Sequence, residues 1–193
     1  MRRAVVVLAA GQSSRMGEHK LLLPLQGKAV VRHAVKTALE ADIGEVFVVL
    51  GRDAVQVAGV LSDLPCSFLM NPQFQSGMGS SFRVAAEMLG HMDRLVFMLA
   101  DMPFVSVKTL KEVASTEADL VSCQYGAFQA PPVQFSKQFF PELLTLQEGA
   151  KPILQKHRES LVLIQADLSE ALDLDTPEDY SKAISKVSEA LEP

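Results

Sequence analysis

Tryptophan is missing from this 193-residue chain, and tyrosine and cysteine occur only twice each. Cys66 and Cys123 lie far apart, with no CxxC pair and no histidine at ligand spacing. That excludes a disulfide framework and a zinc knuckle, and the cytoplasm is the expected compartment. No run approaches the eighteen or so uninterrupted apolar residues of a membrane-spanning helix. Arg2-Arg3 before a short apolar run has the outline of a signal peptide, but that run leads straight into the loop described below and reads as a first strand. Positive charge is also scarce, with 18 Lys and Arg against 23 Asp and Glu, a net charge of −5. Without a basic stripe carrying interleaved aromatics, a general nucleic-acid surface is excluded. What is present is globular: 48% apolar and 21% charged residues, at a length expected of one domain spanning residues 1–193.

Apolar β-rich runs alternate with segments of helical spacing, the pattern of βαβ units on a mostly parallel sheet. Strands are expected near Ala4–Leu8, Glu45–Leu50, Ser67–Met70, Leu95–Leu99, Leu120–Cys123 and Leu161–Gln165. Helices are expected over Ala29–Ala41, Asp53–Leu61, Ser80–Leu89 and Ser106–Ala114, with shorter ones over Lys137–Leu146 and Ala150–His157. A terminal helix opens with Thr176 as N-cap, Pro177 in its first turn and Asp179 at the capping-box position. Ala130–Phe135, which contains Pro131 and Pro132, is expected as an edge or cover strand, since proline cannot donate to a ladder.

The most informative stretch is Leu8-Ala9-Ala10-Gly11-Gln12-Ser13-Ser14-Arg15-Met16-Gly17-Glu18-His19-Lys20. A β-branched run, buried on both faces of a parallel sheet, ends here in a small-residue loop carrying two cations. Gly11 and Gly17 let a ligand approach the backbone, whose N–H groups can form an anion-binding concavity. Arg15 offers a planar fork to phosphate oxygens and Lys20 a point charge. Neither a P-loop nor a dinucleotide fingerprint fits, because the glycine and lysine spacings differ.

The pattern L-A-A-G-x-x-x-R-M-G-x-x-K, followed by Leu21-Leu22-Leu23-Pro24-Leu25-Gln26-Gly27-Lys28, resembles the GT-A-like nucleotidyltransferases. Within them it is most similar to the molybdenum cofactor cytidylyltransferases, where two alanines precede the glycine; guanylyltransferase relatives more often have Ala-Gly-Gly. The resemblance implies a three-layer α/β/α Rossmann-like domain. It also implies nucleotide contacts from Leu8, Ala9, Ala10, Gly11, Arg15 and Lys20. Asn71-Pro72-Gln73-Phe74-Gln75-Ser76-Gly77-Met78-Gly79-Ser80-Ser81 matches the block that contacts base and ribose, giving Asn71, Gly79, Ser80 and Ser81, with Gly79 where relatives have a serine.

Asp101 directly follows a buried strand, where ligands of open α/β sheets sit, and a carboxylate is a hard ligand suited to Mg2+. Leu99-Ala100-Asp101-Met102-Pro103 resembles the family's metal-binding motif. Leu172-Asp173-Leu174-Asp175 resembles its second acidic motif, and alternation in an extended segment puts Asp173 and Asp175 on one side. Which of the two ligates metal stays open. His33 reads as a packing residue of a helix; His19 lies nearer the expected phosphates but has no nucleophile to serve.

The function implied is Mg2+-dependent transfer of CMP from CTP to the phosphate of molybdopterin, releasing pyrophosphate, with Arg15, Lys20 and Asp101 as the catalytic group. A recipient molybdoenzyme or its chaperone is an implied partner. GMP transfer, transfer to a sugar phosphate, and a non-catalytic molybdopterin-binding chaperone are the alternatives. They stay open because Leu146–Lys151 and Ala130–Val133 depart from the family pattern where an acceptor is expected.

Overall fold

The computed structural model describes residues 1–11 and 19–189. Nine strands are described: β1 (Arg3–Ala9), β2 (Pro24–Leu25), β3 (Lys28–Ala29), β4 (Glu45–Leu50), β5 (Ser67–Met70), β6 (Arg94–Leu99), β7 (Leu120–Tyr125), β8 (Phe128–Ser136) and β9 (Leu161–Gln165). The helices are α1 (Val30–Ala41), α2 (Ala54–Leu61), α3 (Gly79–Met88), α4 (Val107–Ser115), α5 (Phe140–Leu143), α6 (Lys151–Lys156) and α7 (Pro177–Glu189).

Seven strands form one sheet in the order β5-β4-β1-β6-β8-β7-β9. β1 pairs in parallel with both β4 and β6, β4 with β5, and β7 with β9; β8 runs antiparallel to both its neighbours. Alternation along β1 divides the core. Val5, Val7 and Ala9 pack with α1, α2 and α4, while Ala4, Val6 and Leu8 pack with α3, α5 and α6. Both faces are thus covered, which explains why β1 reads as a continuous apolar run. The outcome is the three-layer, mostly parallel arrangement expected.

Two details differ from expectation. β8 is an interior strand, laddered to β6 over Val133–Ser136 and to β7 on its other side. Its prolines are tolerated because they lie outside the β6 ladder and in the irregularity where Ser122 opposes Val133 but Cys123 opposes Ala130. The second difference is the β2–β3 hairpin, closed by Gln26 and Gly27 with φ of 50° and 71°, the backbone of a two-residue I′-type turn. His33 Nε2 lies 2.8 Å from the carbonyl of Leu25, so this histidine holds the hairpin to α1.

The caps follow the sequence signals. Thr176 and Asp179 exchange backbone-to-side-chain bonds of 3.1 and 3.2 Å at the start of α7. Ser106 Oγ accepts the Thr109 amide at 3.1 Å. Ser106→Ala removes this acceptor at the start of α4. It is expected to cost about 1 kcal/mol in urea unfolding.

Candidate active site

Because β1, β4, β5 and β6 are parallel, their C-terminal ends line one edge of the sheet, and the chain exits there into Ala10-Gly11, Gly51, Asn71 and Asp101. A cavity of about 330 Å³ opens at this edge, with Leu8, Ala10, Gly11, Lys20, Ser81 and Asp101 in its lining. Phe74 joins them; a β-carbon on Gly51 would stand 2.7 Å from Phe74 Cβ and 2.9 Å from Ala10 Cβ. Glycine at 51 therefore lets the Ala10 methyl and the Phe74 ring share one wall.

At the floor, Lys20 Nζ lies 2.5 Å from Asp101 Oδ2 and 2.8 Å from Asp175 Oδ1. Lys20 belongs to a 3-10 turn, Lys20–Leu22, anchored by the buried side chain of Leu21. Burial pulls its pKa down, but Asp101, then Asp175 and Asp173, outweigh that, so its ammonium is held above the ordinary lysine value. Asp173 completes the group: carboxylate oxygens of Asp101, Asp173 and Asp175 all lie within 4.8 Å of one another. Both aspartates of the second acidic motif thus meet Asp101. The reason is local, since the Leu174 amide donates to the Asp101 carbonyl at 3.1 Å and the Leu174 side chain is fully buried. Turning Leu174 inward turns its neighbours outward.

Three carboxylates in one place repel. Burial, and next the neighbouring Asp101, push the Asp173 carboxyl up to about 7. Its Oδ1 is buried without a hydrogen-bond partner. An orphaned hard oxygen beside two others is the donor set a divalent cation such as Mg2+ or Mn2+ prefers, so these residues fit a metal.

The other expected contacts divide. Ser81 lines the cavity, while Asn71 and Ser80 sit behind it. Asn71 Nδ2 donates to Ser80 Oγ at 2.8 Å and Ser81 Oγ at 3.1 Å, tying the end of β5 to the start of α3. Ala9 faces the opposite core and is not in the lining of the cavity. Arg15 and Gly17 lie outside the described residues. His19 Nε2 stands 3.4 Å from Asp53 Oδ2.

Gly79 has a non-local explanation. A β-carbon there would stand 2.5 Å from the Gln147 carbonyl carbon and 2.6 Å from the Glu148 oxygen, so the glycine accommodates close approach of the 147–148 backbone. The two family departures, Gly79 and the altered Leu146–Lys151 loop, are therefore in contact with each other.

A second cavity, of about 480 Å³, adjoins the first, with Met78 and Leu99 lining both. Ala130, Pro131 and Val133 come to it from β8, and Gly149, Ala150 and Lys151 from the loop and start of α6. Ser122 of β7 also lines it, a residue passed over in the sequence. The available signal was a hydroxyl within the buried run Leu120-Val121-Ser122-Cys123.

No helix among the described residues is long and apolar enough to cross a membrane. Residues 5–161 match the MobA-like NTP transferase domain. Purine catabolism protein PucB of Bacillus subtilis strain 168 is 35% identical over 191 residues, covering 91% of this chain and 92% of that protein. Rv0371c of Mycobacterium tuberculosis H37Rv, solved in complex with manganese, is similar with a TM-score of 0.82 and 25% identity over 96% of this chain and 99% of that one. Molybdopterin-guanine dinucleotide biosynthesis protein A of Archaeoglobus fulgidus has the same fold, with a TM-score of 0.67 and 20% identity over 96% and 99% of the two chains. With a cation and three acids gathered at the edge of a parallel sheet, and its domain matched from the first strand to the last, the chain belongs to the MobA-like NTP transferase family and is a nucleotidyltransferase.

Proposed function

We propose that this enzyme transfers CMP from CTP to the phosphate of a molybdopterin-type acceptor, with Mg2+ as the metal. The observation that carries this reading is the convergence of Asp173 and Asp175 on Lys20 and Asp101, which line one cavity, beside a second cavity of about 480 Å³. An acceptor phosphate oxygen attacks the α-phosphorus, the α–β bridging P–O bond breaks, and pyrophosphate leaves. The acceptor is already ionised at neutral pH, so no protein base is needed. Rate comes from alignment and charge neutralisation. Lys20 and Arg15 hold the triphosphate, and Asp101, Asp173 and Asp175 hold the metal. When bound, the metal supplies Lewis-acid stabilisation of the phosphoryl oxygens.

CTP as donor is supported by Ala10, whose methyl narrows the cavity wall next to Phe74. The room it takes is spared more easily by a pyrimidine than by a purine. Molybdopterin as acceptor is supported by the Leu8–Lys28 pattern and by the name of the A. fulgidus protein of the same fold. The test is kcat/KM with each of the four nucleotides and one molybdopterin preparation. CTP is expected to exceed GTP by roughly ten- to a few-hundredfold, the worth of about 1–3 kcal/mol of steric discrimination. Ala10→Gly is expected to relax this preference without reversing it. Equal values, or a GTP preference, contradict the assignment of CTP and leave nucleotidyl transfer standing.

A further inference from the structure

Two segments that serve different cavities are fastened to one side chain. Gly79 and Arg83 are one turn apart in α3, so they share a stripe of the helix. Gly79 admits the 147–148 backbone, and a β-carbon on Gly77 would stand 3.3 Å from the Gln147 carbonyl oxygen. One turn on, the half-buried Arg83 donates through Nη1 to the Leu146 carbonyl. Its Nη2 serves another segment, lying 3.4 Å from Gln73 Oε1 and 3.3 Å from Ser76 Oγ. That segment is itself tied down: Ser76 Oγ donates to the Gln73 carbonyl at 2.8 Å, and the Gln73 amide donates to Asn71 Oδ1 at 3.0 Å. A guanidinium suits such a junction, since its donors are fixed in one plane and can face two groups of acceptors at once.

The two segments belong to opposite sides of the site. Phe74, Gly77 and Met78 line the nucleotide cavity, and they lie in or beside the stretch that Arg83 holds. Gly149, Ala150 and Lys151 line the neighbouring cavity and follow directly on residues 146–148. Arg83 lines neither cavity. Leu146 is anchored by its buried side chain, whereas Gln147 and Glu148 beyond it are exposed. The loop is therefore held at its start, by Leu146 and Arg83, and runs from there to the wall of the second cavity.

We infer that Arg83 is a positioning residue for the transfer: it clasps the 146–149 loop to the 73–76 turn, so that a nucleotide seated against Phe74 and Met78 also steadies the wall of the second cavity. A ligand shifts a segment only through contacts that differ between that segment's two arrangements. The nucleotide restrains the turn, the turn holds the Nη2 side of the guanidinium, and Nη1 holds the loop. The inference rests on the nucleotidyl-transfer reading, which gives the two cavities to donor and acceptor, and adds the residue that connects them.

Cleavage after Glu148 by a glutamyl endopeptidase reads the loop, because this residue is exposed and the fragments 1–148 and 149–193 are identified by mass. Each of the four nucleotides is first titrated calorimetrically with Mg2+, and one that binds is used at saturation. In wild type it is expected to slow this cleavage about tenfold, the scale of one hydrogen bond to a charged group. Arg83→Met keeps the aliphatic stem and loses the guanidinium. It is expected to bind the same nucleotide, yet its cleavage after Glu148 no longer responds. The double variant Gln73→Ala/Ser76→Ala, which leaves the bond to Leu146 in place, is expected to lose the response in the same way. Cleavage after Glu40 of α1 and Glu112 of α4, both exposed, is expected to be equal in all three proteins. A full response in either variant overturns the role of Arg83, as does a wild type that binds nucleotide without any response. Faster cleavage of Arg83→Met at all three sites shows general loosening and overturns a positioning role. A wild type that binds none of the nucleotides contradicts the nucleotidyl-transfer reading, and the clasp falls with it.

Discussion

Lys20→Ala is expected to lower kcat/KM for nucleotide transfer by about 10²–10³-fold, the loss typical when one preorganised charge is removed from a developing anion. The size follows from position. Lys20 is 7% exposed, its charge is held by Asp101 and Asp175 at 2.5 and 2.8 Å, and it lines the cavity that Asp101 also lines. A charge placed in a partly dry site needs no reorganisation when pyrophosphate departs. Lys20→Arg is expected to recover only part of the rate, because a planar fork cannot occupy the space of an ammonium between two carboxylates. Steady-state pyrophosphate release checks both variants. A Lys20→Ala rate within about twofold of wild type, less than 0.5 kcal/mol by rate arithmetic, removes Lys20 from the phosphate cradle.

Asp101→Asn is expected to reduce turnover by at least about 10³-fold on the proposed role of this carboxylate, since a lost metal ligand would remove several kcal/mol of charge stabilisation. The fold is expected to persist. The side chain of Asp101 projects beyond β6, and the backbone bond from Leu174 to the Asp101 carbonyl does not depend on the carboxylate. Circular dichroism close to wild type, together with weaker Mn2+ binding by electron paramagnetic resonance, separates loss of metal from loss of structure. Wild-type turnover in this variant takes Asp101 out of the reaction.

Much of the scaffold was legible because its signals are local. β4, β5 and β9 fall on the expected Glu45–Leu50, Ser67–Met70 and Leu161–Gln165. The caps at Ser106 and Thr176 use the hydrogen bonds their side chains suggest. The motifs singled out Lys20 and Asp101, which the fold places 2.5 Å apart, and the alternation through Leu174 anticipated that Asp173 and Asp175 share a side. What stayed hidden depends on partners distant in sequence. Whether one or both of those aspartates reach Asp101 is decided by the bond from Leu174 to Asp101, across more than seventy residues. Gly79 is explained by the 147–148 backbone, and the prolines of β8 by a ladder irregularity opposite Ser122. The β2–β3 hairpin was passed over because Gln26-Gly27 lacks the asparagine or aspartate that usually marks such a turn.

The central claim is that the α-phosphorus is the atom transferred, and it is tested most directly by a single turnover of wild type with CTP labelled separately at the α and γ positions, in the presence of Mg2+ and molybdopterin. The account predicts that the α label appears on the acceptor while the γ label leaves entirely as pyrophosphate, in equal amounts. Release of the γ label as orthophosphate, or its appearance on the acceptor, contradicts it.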